Sequence, residues 1–153
     1  MIYSIDTSSI IHGWYRYYPP DVFLAVWQEL DSIILDGRLI ATEEVLHELE
    51  KQDDDVYKWA KQRSQLFIPL DIPIQRAGAS IINAHPRLVD NRRNRSAADP
   101  FVIALAQIED ATVVTGENPT NNAEKPNIPD VCRAMNIPCI NLLQLIRLEG
   151  WKF

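Results

Sequence analysis

The chain has 153 residues, 46% of them hydrophobic and 24% charged, with a formal net charge of −6. That composition suits one soluble domain with a single sizeable core and offers no apolar run near the roughly 20 residues of a membrane span. The acidic balance argues against broad, non-specific nucleic-acid binding, which draws on Lys and Arg, and leaves room only for a local basic patch. Met1 leads straight into a strand-like segment without a basic leader, so the cytoplasm is the expected location. Cys132 and Cys139 lie outside any CxxC pattern and are expected to be buried thiols. His12, His47 and His85 are scattered and show no metal-ligand spacing.

Ile2, Tyr3 and Ile5 predict a short buried strand that stops at Asp6. Thr7, Ser8 and Ser9 then offer N-caps for a helix over residues 10–15. Trp14, Tyr15, Tyr17 and Tyr18 follow, expected to pack between the first two helices, with base stacking as the alternative. Apolar residues recurring at three and four predict a helix over 21–36, stopped by Gly37. A strand over 39–41 leads to Thr42, a cap for a helix whose Glu44 and Glu48 share one face. Asp53, Asp54 and Asp55 form a solvated turn that caps a helix over 56–65, with Trp59 and Leu66 inward.

Prolines keep 67–73 extended, and 74–84 is predicted helical. Residues 87–96 are the one clear basic cluster, either a solvated loop or a phosphate-facing edge. Asp99 and Pro100 suit the N-cap and first turn of a helix over 101–107, apolar nearly all round. A β-branched strand over 111–115 runs into Gly116 and Glu117, then a loop to residue 127. A helix from Ile128, a strand over 137–140 and a helix over 142–148 complete the chain. Strands alternate with helices without repeat or linker. The expectation is one domain over 1–153, a three-layer α/β/α sandwich around a mostly parallel sheet.

Four acids stand at strand ends or near helix starts: Asp6, Glu48 with Glu44 beside it, Asp99 and Glu117. In a parallel sheet these places converge on one edge, where ligands bind. Clustered carboxylates raise each other's pKa, a cost that a hard divalent cation removes. Mg²⁺ and Mn²⁺ prefer such oxygen ligands, and the chemistry they imply is phosphodiester hydrolysis.

The chain resembles the PIN-domain nucleases, especially the PIN-like group typified by toxin nucleases of toxin–antitoxin pairs. The resemblance rests on four stretches: Tyr3-Ser4-Ile5-Asp6-Thr7-Ser8, Glu44-Val45-Leu46-His47-Glu48-Leu49, Ala98-Asp99-Pro100-Phe101-Val102-Ile103-Ala104-Leu105-Ala106 and Val113-Val114-Thr115-Gly116-Glu117. Ile128-Pro129-Asp130-Val131-Cys132 is similar to a domain-of-unknown-function branch of that superfamily. The resemblance implies metal binding by Asp6, Glu48 and Asp99, with Glu44 as rival for the second place. A fourth family acid, usually Asp, maps to Glu117, whose longer side chain departs from the pattern. Thr115 and Asn118 would support it, and Thr7 or Ser8 would hold a metal-bound water or a phosphate. Asp130 is explained as well by capping.

The resulting expectation is a Mg²⁺- or Mn²⁺-dependent endoribonuclease, the toxin of a toxin–antitoxin pair, with Asp6, Glu48, Asp99 and Glu117 catalytic. Arg92, Arg93 and Arg95 would grip the RNA backbone, with tRNA among the candidate substrates. An antitoxin would be the partner, and the aromatics at 14–18 with the helix at 21–36 offer a surface for it or for a homodimer. A non-catalytic PIN-like module that binds RNA or protein is the alternative. An aspartyl phosphatase fits less well, because Ser8 stands where such enzymes want a second acid.

Overall fold

The computed structural model describes residues 1–89 and 98–153. Its strands are β1 (Tyr3–Ile5), β2 (Leu39–Thr42), β3 (Phe67–Ile68), β4 (Thr112–Val114) and β5 (Cys139–Ile140). All neighbouring pairs run parallel, in the order β3-β2-β1-β4-β5. Eight α-helices are found among the described residues: α1 (Thr7–His12), α2 (Pro20–Leu35), α3 (Glu43–Gln52), α4 (Asp55–Lys61), α5 (Ile72–Ala84), α6 (Asp99–Glu109), α7 (Ile128–Ala134) and α8 (Leu142–Glu149). The fold is the expected PIN-like α/β/α sandwich. Among the described residues no helix is long and apolar enough to cross a membrane.

β1, β2 and β4 are buried throughout, which explains why they are mostly apolar rather than alternating. Ser4 lies on one face, where its Oγ donates to the Val102 carbonyl of α6 at 2.8 Å. Ile5 lies on the other and helps to bound a small internal gap with Ile10, Trp27, Leu39 and Trp59. On that side the rings of Trp14, Trp27 and Trp59 meet with centroids 4.8–6.0 Å apart. Trp14 therefore packs between helices, as expected, whereas Tyr15 and Tyr17 are exposed. The turn that carries them is a π-helical extension of α1, Gly13–Tyr17. On the α6 side, α5 and α6 pack closely at Gly78, where an added Cβ would lie 2.5 Å from the Phe101 ring.

Several boundaries differ from the sequence reading, each for a local reason. The helix after β1 begins at Thr7, because Asp6 itself is the N-cap. Thr42 occupies the N-cap position of α3, but its buried hydroxyl has no hydrogen-bond partner among the described residues. Asp54 caps α4, as the acidic turn suggested, but α4 ends at Lys61. Phe67–Ile68 pairs with Ala41 and Thr42 as an edge strand, in a stretch read only as extended. Asp71 caps α5, which starts two residues early, with Pro73 in its first turn. Asp99 is the first residue of α6 rather than its cap, a place taken by Ala98.

The C-terminal helix is tied to the start of the sheet by one carboxylate. Arg38 donates to both oxygens of Glu149, at 2.7 and 3.1 Å, and the Tyr3 hydroxyl donates to Oε2 at 2.7 Å. The hydrogen-bonded guanidinium holds Glu149 below the ordinary carboxylate range, against the opposing effect of burial. A depressed folded pKa contributes stability that is complete above the unfolded value and is lost as pH falls through the folded one. Glu149→Gln is therefore expected to lower stability at neutral pH by about 1–2 kcal/mol. Urea titrations should show the gap to wild type closing as pH falls below the normal glutamate range. A gap unchanged down to pH 3 would mean that this charge contributes nothing.

Candidate active site

From β1 the chain winds outward through β2 and β3, then crosses to β4 and β5 on the other side. The direction of winding reverses between β1 and β4, and in open parallel sheets that crevice, at the carboxyl ends of the strands, is where ligands bind. Asp6 stands directly at it. Its backbone N–H donates to the Val114 carbonyl of β4 at 3.0 Å. Its carboxylate is 3% exposed. Oδ1 accepts from Ser9 N at 2.9 Å, and Oδ2 accepts from Thr115 Oγ1 at 2.6 Å, a bond across the crevice. Ser8 Oγ lies 2.8–2.9 Å from both oxygens.

The same two hydroxyls shape the β4 end. Ser8 Oγ accepts from Gly116 N at 3.0 Å, and Thr115 Oγ1 accepts from Glu117 N at 3.1 Å. Burial pushes the Asp6 carboxyl above the ordinary range, while the bonds from Thr115, Ser9 and Ser8 pull it back.

Topology also brings Asp99 toward this edge. Helix α6 leads through a tight turn at Asp110 into β4, so its C-terminus lies at the start of the sheet. Its N-terminus, with Asp99, therefore lies toward the carboxyl edge. Asp6 and Asp99 are the two buried acids among the described residues. Glu48 is half-buried on α3, which packs against α1. Glu44 turns instead to His47, 3.5 Å away on the helix surface. Glu117 is half-buried, and its Oε2 accepts from Ile128 N at the start of α7 at 3.1 Å.

Asn118 is exposed, and its carbonyl accepts from the Asn127 side chain. Asp130 closes the capping box of α7 and holds Thr120, which accounts for it structurally. Arg92, Arg93 and Arg95 lie outside the described residues.

Among the described residues, no group of three or more His, Cys, Asp or Glu side chains is arranged to hold a metal ion. The donors at this edge are nonetheless carboxylates and hydroxyls, the hard ligands that Mg²⁺ and Mn²⁺ prefer. Among the described residues the buried Thr7 hydroxyl, next in sequence to Asp6, has no hydrogen-bond partner. Such an oxygen fits a polar occupant rather than a sealed core.

The sequence gives His12 no metal-ligand spacing, and the structure sets it against the β4 loop. An added Cβ on Gly116 would come within 2.8 Å of His12 Nδ1 and 3.2 Å of Ser8 Oγ. Ser8 and His12 are one helical turn apart, so their shared face was available from the spacing. Burial and then Arg16 lower the His12 pKa, against the pull of Glu117. His12 and Glu117 border a cleft of about 660 Å³ that runs to the start of α8.

The bond across the crevice supplies a test. Thr115→Val keeps the shape of the side chain but removes one donor to the buried carboxylate and one acceptor for Glu117 N. The expected loss is about 1–3 kcal/mol by urea unfolding. Thr115→Ser should recover the larger part. A valine variant as stable as wild type would show that the bond carries no weight.

Similarity to known proteins bears on the fold. Solved structures of similar fold include VapBC2 from Rickettsia felis bound to a DNA fragment from their promoter. Its matching chain is 17% identical with a TM-score of 0.58, over 92% of this chain and 98% of that one. FitAcB from Neisseria gonorrhoeae is 21% identical with a TM-score of 0.54, over 92% and 97%. FitAB bound to an IR36 DNA fragment is 18% identical with a TM-score of 0.51, over 92% and 94%. At these identities the likeness is one of fold. No curated protein matches significantly in sequence. A family model described as a domain of unknown function, DUF4411, matches residues 3–153. The chain therefore belongs to the DUF4411 family and carries it on a PIN-like fold.

Proposed function

We propose that the protein is a Mg²⁺- or Mn²⁺-dependent endoribonuclease, the toxin of a toxin–antitoxin pair. The observation that carries this reading is the buried Asp6 carboxylate at the crevice between β1 and β4, bonded across it to Thr115. The topology that brings Asp99 to the same edge supports it. So do the VapBC2 and FitAB structures of similar fold, which also support an antitoxin as partner.

In this reading Asp6 and Asp99 hold the cation from the buried side, and Glu48 and Glu117 complete its shell. A bound ion supplies a water of lowered pKa and neutralises charge on the phosphoryl oxygens. Ser8 and Thr115 keep the Asp6 carboxylate in one orientation. Thr115 also fixes the backbone at Glu117, so one side chain positions two of the four acids. Thr7 contributes its hydroxyl to the site, Asn118 shapes the loop beyond it, and Arg92, Arg93 and Arg95 grip the RNA backbone.

A second reading, a PIN-like module that binds without cutting, draws on a specific observation. Glu117 is engaged by the start of α7, and no metal-holding group of three is formed among the described residues. One experiment separates the two. Pure wild type, Asp6→Asn and Asp99→Asn are incubated with total RNA, including tRNA, with Mg²⁺ or Mn²⁺ and with EDTA. Asn at position 6 retains an acceptor, and the Ser8 and Thr115 hydroxyls can rotate to accept from its amide, so the variant should fold. The expected outcome is cleavage by wild type alone, stopped by EDTA and reduced at least about 10²-fold in each variant. Absence of cleavage, with no Mn²⁺-induced rise in melting temperature, would favour the binding module.

A further inference from the structure

We propose that the cleft beside the acidic edge is a nucleobase-binding subsite for single-stranded RNA, with a preference for bases that present carbonyl acceptors. The inference deepens the nuclease reading and rests on it for the choice of RNA as ligand. The cleft volume of about 660 Å³ lies within the usual range for small-ligand pockets, about 300–1,000 Å³. It is large enough for a nucleotide. It is also continuous with the site, because Thr115, Gly116 and Glu117 line it. His12 is wedged against Gly116 at the junction of the two.

The walls have the chemistry of base recognition. Tyr17 is 61% exposed, and its ring stands edge-on to the His12 ring at 6.4 Å. An exposed aromatic on a cleft wall is a stacking platform, sequence-tolerant because every base has a π-face. Asn141 and Gln144 also line the cleft. Their side-chain oxygens are spent on the capping box of α8, at 2.9 and 2.8 Å. That pairing leaves each amide with its NH₂ group, a donor only. Donor-only groups suit the O2 and O4 of uracil, or the O6 of guanine, and suit the amino edge of adenine poorly. Arg133 also lines the cleft, held by Asn121 Oδ1 at 2.8 Å and paired with Asp130 Oδ1 at 3.4 Å.

The sequence reading took the aromatics at 14–18 as packing first and base stacking second. The structure divides them. Trp14 packs against the core, Tyr15 is exposed and not part of the cleft lining, and Tyr17 and Tyr18 line the cleft. Tyr15 is thus a built-in control.

The test measures binding without chemistry. Fluorescence anisotropy of labelled 2′-O-methyl hexanucleotides, U₆ and A₆, is followed in EDTA with wild type and variants whose folding is checked by melting temperature. Wild type is expected to bind U₆ more tightly than A₆. Tyr17→Ala should weaken U₆ binding about tenfold, Tyr17→Phe should restore it, and Tyr15→Ala should leave it unchanged. Gln144→Glu keeps the oxygen that caps α8 but replaces the donors with a carboxylate. It should weaken U₆ binding and erase the preference over A₆. Equal loss in Tyr15→Ala and Tyr17→Ala, or no loss in Tyr17→Ala, would overturn the subsite, as would A₆ bound as tightly as U₆. Such a result beside metal-dependent cleavage would leave the nuclease reading standing. Binding as predicted without any cleavage would overturn the nuclease and keep the subsite.

Discussion

The arrangement at the crevice depends on one buried carboxylate. A charged group removed from water is costly unless hydrogen bonds replace its hydration. Asp6 receives those bonds from both sides of the crevice, from Ser9 N in its own helix and from Thr115 at the end of β4. The same acid caps α1, so the helix start, the end of β1 and the end of β4 share one group. The structural and functional readings of Asp6 are therefore not rivals. Capping is what fixes the carboxylate at the crevice.

This constraint propagates through small side chains. Ser8 and Thr115 each touch Asp6 with a hydroxyl and use the same oxygen to accept a backbone N–H from the β4 loop. Gly116 then has to lack a Cβ, because His12 and Ser8 already fill that space. The chain from Asp6 to Glu117 is thus held by three short residues whose chemistry allows close approach. Larger side chains at 8, 115 or 116 would separate β1 from β4 at Asp6. The opposite end of the sheet has a separate anchor, the Arg38–Glu149–Tyr3 group, which fixes α8 and with it part of the cleft lining.

Much of the fold was legible because β1, β4 and β5 run straight into a polar residue, β2 ends on one, and the longer helices carry apolar faces. That alternation alone put Asp6, Asp99 and Glu117 at strand ends or helix starts and Glu48 on the helix after β2. What escaped were features set by partners distant in sequence. Phe67–Ile68 looks like a proline-bounded loop until β2 offers it a ladder. Thr42 looks like a cap, yet its buried hydroxyl has no hydrogen-bond partner among the described residues. Asp99 was expected to cap, whereas one residue of shift makes it the first residue of α6. His12 gave no signal as a metal ligand because its role comes from contact with Gly116, more than 100 residues away. The engagement of Glu117 with α7 likewise needed the loop in three dimensions.

The charge of the protein and the proposed site pose a problem that the cleft resolves. An RNA phosphate approaching several carboxylates is repelled until a cation sits between them, and a net charge of −6 offers no long-range attraction. Contacts that carry little net charge then add binding energy beyond what a phosphate grip supplies. Stacking on Tyr17 and hydrogen bonds from the Asn141 and Gln144 amides are of that kind, and they lie beside the acids rather than among them. Base contacts of this type depend weakly on salt compared with phosphate contacts, which release counterions. An acidic PIN-like protein that grips the base first and the phosphate second would select single-stranded RNA, since only unpaired bases can enter such a cleft.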